Sequence, residues 1–174
     1  MFRIKFKWSE TDGAGKTVRM KREIIAECSS YTDAEALALE IMRLDNIVED
    51  SEYEIVKEKI SANDIFISPS TIDSENEVNS LVELFFIDEK SKMYQIKLEF
   101  DSLDERPTAH ICYVLSHSTR DAIDWLKKVM WAEGMGNYNI KKTSDDNMEM
   151  LYLSEPSYER IIAKTSEIED GLQD

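Results

Sequence analysis

Apolar and basic residues alternate at the start of the chain, in the order Phe2, Arg3, Ile4, Lys5, Phe6, Lys7 and Trp8. A period of two is that of a half-buried β-strand, so this pattern predicts one strand with an apolar face and a basic face. Residues 9–16 contain two glycines and an Asp-Gly pair, which suit a hairpin turn that needs positive φ angles. We therefore expect the chain to return as a second strand over residues 17–28.

The apolar residues that follow recur with the period of a helix. Thr32 and Glu35 have the spacing of a capping box, in which each side chain satisfies a free N–H group near the helix start. One helical face then carries Ala34, Leu37, Ala38 and Ile41. This spacing predicts a helix from Asp33 to about Asn46.

The same order of strand, polar cap and helix occurs a second time. Residues 109–115 predict a strand, and Ser118 with Asp121 repeats the small hydroxyl that is followed by an acid three residues later. A helix to about Glu133 follows, and the glycines of residues 134–136 are typical of a helix end. We interpret the two segments as an internal repeat.

The repeat leads to a predicted architecture. An offset of 86 residues places Thr32 on Ser118, and the strand predicted at residues 82–87 resembles the one at residues 148–153. Each half then has the order β-β-α-β-β. This order predicts an α+β fold of mainly antiparallel sheet, with two helices on one side and a pseudo-twofold axis between the halves.

We expect a single domain that is followed by a tail. The domain covers residues 1–153 and consists of a first half, residues 1–87, and a second half, residues 92–153. A polar excursion at residues 61–79, rich in Ser, Asn and Asp, interrupts the first half only. The tail is formed by residues 154–174.

The tail is acidic and amphipathic. Its apolar residues recur at helical spacing, and the candidate docking residues among them are Tyr158, Ile161, Ile162 and Ile168. The pattern fits a helix that packs on its own domain. It also fits an arm that docks on another subunit.

Charge is distributed unevenly along the chain. The net charge is −15 at neutral pH, of which the first 24 residues carry +4 and the others −19. This excess of acid argues against a general nucleic-acid binder, which needs clustered Lys and Arg for phosphate contacts. No run of about 18 apolar residues is present, and we expect neither a membrane span nor a signal peptide. Cys28 and Cys112 fit buried free thiols in a reducing compartment, and a disulfide or a reactive thiol is the alternative interpretation.

Five cations near the N-terminus form the one cluster with a candidate binding role. In a hairpin of suitable register the odd positions of both strands share one face, and these positions hold Arg3, Lys5, Lys7, Arg19 and Lys21. A basic strip on an acidic protein is suited to an anion, a nucleic-acid strand or an acidic surface of a neighbouring protein. The simpler interpretation is a solvent-exposed face with cross-strand partners such as Glu23.

No residue pattern indicates an active site. Residues 13–17 resemble the end of a phosphate-binding loop, but Glu10 stands where that loop needs a glycine, and a strand follows instead of a helix. His110 and His117 are expected to be structural, and the acidic runs lack the spacing of a calcium loop. We therefore predict a non-enzymatic protein without a metal or a cofactor.

Two tryptophans lie on the second predicted helix. Trp125 and Trp131 are six residues apart, so both cannot face the core squarely. We expect one of them to be exposed at an interface, because Trp is enriched there.

The start of the first predicted helix carries a family resemblance. The run Tyr31-Thr32-Asp33-Ala34-Glu35-Ala36 and the two-half pattern resemble a domain-of-unknown-function family of small proteins found in Bacteroidetes and their bacteriophages. Members look similar in their aromatic-rich N-terminal strand, basic loop and aromatic-Thr-acid-Ala-Glu-Ala motif. The resemblance covers about residues 2–153 and brings no catalytic residues. It implies a bacterial or phage protein that acts in the host cytoplasm or in a virion.

The leading functional hypothesis is a non-enzymatic interaction or assembly protein of phage type, either a virion component or an accessory factor. Two similar halves offer two similar surfaces, and the tail is amphipathic. The first alternative is an acidic inhibitor or DNA mimic that targets a basic host protein. The second alternative is nucleic-acid binding through the basic N-terminal hairpin. The expected partners are other protein subunits of phage or host, including further copies of this chain, and no membrane.

Overall fold

A computed structural model describes residues 1–47, 52–72, 85–86, 91–100, 108–145 and 148–171. In chain order its strands and helices are β1 Phe2–Thr11, β2 Thr17–Ala26, α1 Tyr31–Leu44, β3 Tyr53–Lys59, β4 Ile65–Ile67, β5 Phe85–Phe86, β6 Lys92–Phe100, β7 Thr108–Ser116, α2 Thr119–Ala132, β8 Tyr138–Asp145, β9 Met148–Tyr152 and α3 Glu155–Asp170. Short 3-10 turns flank β4 at Ala62–Asp64 and Pro69–Thr71. The last part of the polar excursion, residues 73–79, lies outside the described residues.

The strands form two sheets with matching centres. The first sheet has the order β3-β1-β2-β9-β5 and the second has the order β4-β7-β6-β8. In the first sheet β3 and β2 flank β1 in antiparallel pairing, and in the second sheet β8 and β7 flank β6 in the same way. The prediction of an α+β fold built from two similar halves is confirmed, as is the C-terminal helix.

Each half gives a strand to the sheet of the other half. Strand β4 belongs to the first half but pairs in parallel with β7 of the second half, so that Ile65 lies opposite Tyr113. Strand β9 belongs to the second half but pairs in parallel with β2 of the first half, where Leu151 lies opposite Ile25. The counterpart of β9 is therefore β4, and not the strand that the sequence predicts at residues 82–87. Of that segment the described pair β5 is a neighbour of β9 in the same sheet.

The caps of α1 and α2 show where the repeat is in register. The Ser30 hydroxyl accepts the Asp33 N–H at 3.1 Å, and the Ser118 hydroxyl accepts the Asp121 N–H at 3.1 Å. The two helices begin at Tyr31 and Thr119, 88 residues apart. The prediction that Thr32 caps the first helix is wrong. Ser30 is the N-cap residue, and Thr32 lies within the first turn.

Both helices also end in the same way. Asn46 and Gly134 hold equivalent positions after the two helices, and both have positive φ angles, of 57° and 68°. The next N–H groups, of Ile47 and Met135, donate back to carbonyl groups of the last turn. This is the usual left-handed helix end, in which free carbonyl groups find donors.

Each sheet packs one face against a helix and the other face against the second sheet. The even-numbered face of β1 packs against α1, and the core there includes Ile4, Phe6, Ile24, Ala38 and Met42. The equivalent face of β6 packs against α2, and the core there includes Ile96, Leu98, Val114, Leu126 and Val129. The opposite sheet faces meet in a third core that includes Ile25, Leu151, Met93, Tyr113 and Leu115. Each helix thus covers the outer face of its own sheet, so α1 and α2 lie on opposite sides of the stacked sheets and not on one side as predicted.

Helix α3 packs on its own chain. Ile168 is buried in the α2 core, and Tyr158, Ile161 and Ile162 pack half-buried against the core between the sheets. The Thr165 hydroxyl donates to the carbonyl oxygen of Ile67 at 3.2 Å. The tail is therefore a helix that packs on its own domain, which is the first of the two interpretations of its sequence. None of the helices in the described part of the chain is long and apolar enough to span a membrane.

Candidate interaction site

The end of the β1–β2 hairpin projects from the first sheet. The antiparallel register continues to the pair Thr11 and Thr17, and the Asp12 carboxylate accepts two N–H groups of the turn. Gly15 has a φ of 79°, which suits glycine. Strand β9 pairs with β2 only from Glu23 onwards, so residues 17–21 of β2 are exposed on both faces. The predicted hairpin turn is present at residues 12–16.

Three of the five candidate cations surround one buried carboxylate. Arg3 donates from Nε at 3.0 Å and from Nη2 at 2.7 Å to the fully buried Glu23. Lys21 approaches the other carboxylate oxygen to 2.7 Å and Lys5 to 3.6 Å. This cluster lies next to the second sheet, because Arg3 also donates to Gln95 at 3.3 Å. Arg3 and Lys5 therefore have Glu23 as the partner that the simpler interpretation names, but Arg3 and Glu23 are buried and are not part of the solvent-exposed face that it predicts.

The ionisation of Glu23 reflects two opposing effects. Burial alone raises the pKa of a carboxyl group because it removes water from the charged form. In Glu23 this is outweighed by the hydrogen bonds from Lys21 and Arg3 and by the charges of Arg3 and Lys5, so the pKa is lowered from its usual 4.5. Glu23 is thus charged at neutral pH.

An open cleft of about 480 Å³ crosses the three strands at the projecting end. Its lining residues are Lys7, Trp8, Ser9, Arg19, Met20, Lys21, Glu52, Tyr53 and Glu54. The β-sheet register explains this grouping, because Lys7 lies between Lys21 on one side and Glu54 on the other. The structure therefore brings Lys7, Arg19 and Lys21 together and leaves Arg3 and Lys5 deeper between the sheets.

The cleft is mixed in charge rather than purely basic. Lys7 pairs with Glu54 at 3.0 Å, and Lys21 is held by Glu23. Arg19 is exposed and makes no ion pair or side-chain hydrogen bond with any residue in the described ranges. Arg19 is thus the one member of the predicted cluster whose charge is available to a ligand from the described part of the cleft.

Large side chains lie on the opposite face of the same three strands from Lys7, Arg19 and Lys21. Met20, Trp8 and Tyr53 lie side by side across the three strands. Trp8 is buried and its indole N–H donates to Glu10 at 2.6 Å, whereas Tyr53 is 45% exposed and Met20 is 37% exposed. Sequence reasoning could have found Met20 from the hairpin register. It missed Tyr53, since the pairing of β1 with β3 is long-range.

The other residues with reactive side chains lie elsewhere. His110 contacts Asp64 at 2.8 Å on the surface. Burial, with smaller contributions from the charges of Asp64 and Glu133, raises the pKa of the Cys112 thiol to about 12. Cys28 is also a free thiol, and its pKa is raised mainly by burial. In the described ranges no three His, Cys, Asp or Glu residues are grouped so as to hold a metal ion.

The two tryptophans of α2 differ in exposure. Trp125 is 3% exposed in the core, whereas Trp131 is 69% exposed. The prediction that one of the pair is exposed is confirmed, whereas its place at an interface stays a prediction. Trp131 lies on α2, which packs on the second sheet, whereas the cleft crosses the first sheet.

Comparison with known proteins gives a family without a function. The family model described as "Domain of unknown function (DUF4494)" matches residues 1–152. No curated protein and no solved structure matches the chain. The match covers both halves of the repeat and ends before α3.

Proposed function

The chain belongs to the DUF4494 family of domains of unknown function, and we propose that it is a non-enzymatic protein-interaction protein whose contact site is the cleft at the end of the β1–β2 hairpin. The composition of the cleft carries the proposal. Arg, Met, Tyr and Trp are the side chains enriched where proteins bind each other. Here Met20 and Tyr53 are partly exposed beside the rigid indole of Trp8 on one face of the sheet, and Arg19 is exposed on the other face of the same hairpin end.

The ion pairs of the cleft favour a protein partner over a nucleic acid. Phosphate contacts gain their free energy when free Lys and Arg side chains replace counterions. Lys7 and Lys21 already have carboxylate partners at 3.0 and 2.7 Å, and Glu52 adds a further negative charge at the rim. A phosphate chain would have to compete with these carboxylates, whereas a protein surface can satisfy both signs of charge.

The finer part of the proposal is an assembly role of phage type. The resemblance to small proteins of Bacteroidetes and their bacteriophages supports a place in a virion or in an accessory complex in the host cytoplasm. A projecting hairpin end that is held by a rigid, doubly packed sheet is well suited to repeated contacts between subunits. The partner is then another phage or host protein.

An acidic inhibitor of a basic host protein is the second candidate function. The net charge of −15 favours it, because a strongly negative surface attracts basic sites from a distance. This candidate predicts binding that weakens steeply with salt and that does not depend on the cleft. Contact through the cleft predicts a modest dependence on salt and a strong dependence on Met20 and Arg19.

The experiment is a pull-down that compares two matched double variants. The test variant is Arg19→Glu with Met20→Asp in the cleft. The control is Arg120→Glu with Met135→Asp, an exposed arginine and an exposed methionine in the second half. Each tagged protein is incubated with lysate of the cells that produce it, with and without nuclease, and captured proteins are identified by mass spectrometry.

The proposed function predicts a stoichiometric partner that survives nuclease, is retained by the control variant and is lost by the cleft variant. Recovery only in the untreated lysate would replace the proposal with nucleic-acid binding. A partner that both variants retain, and that moderate salt removes, would favour the acidic inhibitor.

A further inference from the structure

In the described part of the chain, one edge of β2 lacks a neighbouring strand at the cleft. Strand β1 pairs with the whole of β2, from Thr17 to Ala26. On the other side β9 pairs only with the stretch from Glu23 to Ala26. Within the described ranges, residues 17–22 therefore have a strand on one side only. An unpaired edge of this kind is a template for a further strand.

The register shows which backbone groups point away from β1. The Asp12 N–H donates to the Lys16 carbonyl at 2.9 Å, which makes the even-numbered residues of the hairpin the hydrogen-bonded pairs. The Glu27 N–H donates to the Tyr152 carbonyl of β9 at 2.8 Å, so odd-numbered residues point to the opposite side. The N–H and C=O groups of Thr17, Arg19 and Lys21 consequently project from the open edge.

We propose that an extended acidic segment of the partner protein binds as an added β-strand along residues 17–22 of β2. This inference rests on the proposed function, since it names the binding mode of the same site. Addition of a strand to a sheet edge takes affinity from backbone hydrogen bonds and specificity from alternate side chains. Here one face of the edge presents Arg19 and Lys21, and the other presents Val18 and Met20.

The side chains of the edge define the chemistry of the added strand. Lys and Arg on an edge normally repel neighbouring strands and prevent aggregation. A strand with carboxylates at alternate positions removes this repulsion, because opposite charges on neighbouring strands stabilise a pair. Arg19 is available for such a pair within the described residues. Val18 and Met20, which are 40% and 37% exposed, favour apolar residues at the positions between the carboxylates.

The probe is a fluorescein-labelled seven-residue peptide in which glutamate alternates with valine, and the control peptide has lysine in place of glutamate. Binding to the full chain is measured by fluorescence anisotropy, and amide exchange of the chain is followed by NMR. The inference predicts that the glutamate peptide binds and that the amides of Thr17, Arg19 and Lys21 become protected. The amides of Val18 and Met20 already bond to β1 and should change little.

Two substitutions at one position separate backbone pairing from charge. Arg19→Gln removes the charge and keeps the N–H, whereas Arg19→Pro removes both, at a position that does not bond to β1. We expect Arg19→Pro to bind the peptide about tenfold more weakly than Arg19→Gln, the cost of one unmade backbone hydrogen bond. The unchanged spectrum of β1 verifies that Arg19→Pro keeps the hairpin.

The outcomes distinguish this inference from the proposed function. Equal affinity of Arg19→Gln and Arg19→Pro, or no protection of the three edge amides, would overturn strand addition. The proposed function would still stand if the cleft variant loses its protein partner in the pull-down. A probe of single-stranded DNA that binds in place of the peptide would overturn both.

Discussion

Glu23 holds three cations at the boundary between the two sheets. It is fully buried, and its partner Arg3 is 6% exposed. Removal of one member of a buried ion pair leaves the other charge without compensation, which costs about 3–5 kcal/mol. We expect Glu23→Gln to lower the free energy of unfolding by about that amount, measured by urea denaturation. The matched control is Glu54→Gln, whose exposed pair with Lys7 should contribute at most about 1 kcal/mol.

The same residue predicts a dependence on pH. The pKa of Glu23 is lower in the folded protein than its usual 4.5, so the folded state holds this proton less tightly than the unfolded state. The stabilisation is therefore complete above pH 4.5 and is lost as the pH falls through the lower folded-state pKa. Urea titrations from pH 7 to pH 3 should show a fall in stability that is smaller in Glu23→Gln. Identical profiles would contradict the role assigned to Glu23.

Three hydroxyl groups near the helix starts give a sharper residue-scale test. Ser30 and Ser118 accept N–H groups of the first turns, and loss of such a cap costs about 1 kcal/mol. Ser30→Ala and Ser118→Ala should each lower the unfolding free energy by about that amount, whereas Thr32→Ala should have little effect. If Thr32→Ala lowers the unfolding free energy more than Ser30→Ala does, Thr32 is the cap residue, as the capping-box spacing indicates.

At the scale of the element, α3 is the part with two sequence interpretations. Ile168 is buried against α2, and truncation of a buried isoleucine to alanine costs about 2–5 kcal/mol. We expect Ile168→Ala to destabilise the isolated chain within this range, and the exposed Glu167→Ala to have little effect. Loss of stability that appears only in an oligomer would instead indicate docking of the tail on a second subunit.

Elements that depend on local order could be predicted from the sequence, and those that depend on distant pairing could not. The alternation of Phe2 to Trp8 and the turn at Gly15 determine the hairpin, and both helices follow from their apolar faces. The parallel pairing of Ile65 with Tyr113 joins segments 48 residues apart, and three residues carry too little pattern to predict it. For the cluster around Glu23, the sequence predicts the pairing within the hairpin but not the burial. Hairpin register makes Glu23 a partner of the cations, but its burial requires the second sheet.

At the scale of the molecule, the pseudo-twofold axis passes close to a single hydrogen bond. The helix starts are 88 residues apart, and this offset places Ile25 on Tyr113. Arg3 lies opposite Ile25 and Gln95 lies opposite Tyr113, so Arg3 and Gln95 hold equivalent positions in the two halves. The bond between them joins the halves at positions where their sequences differ. Two arginines there would repel each other, which gives a physical reason for the difference.

The exchange of β4 and β9 predicts how the whole chain unfolds. Each sheet contains a strand from the other half, so neither half can unfold without removing a strand from its neighbour. We therefore expect one cooperative transition, although the sequence is a duplication that could have produced two independent units. Trp8 reports on the core of the first half and Trp125 on that of the second.

The measurement uses two variants that each keep one buried reporter. Trp125→Phe with Trp131→Phe leaves Trp8, and Trp8→Phe with Trp131→Phe leaves Trp125. In each variant the urea transition seen by tryptophan fluorescence should coincide with the transition seen by far-ultraviolet circular dichroism, because coincident probes indicate a two-state process. A fluorescence transition that precedes the loss of secondary structure in one variant would mean that one half unfolds first. The exchanged strands would then be too weakly held to couple the two sheets.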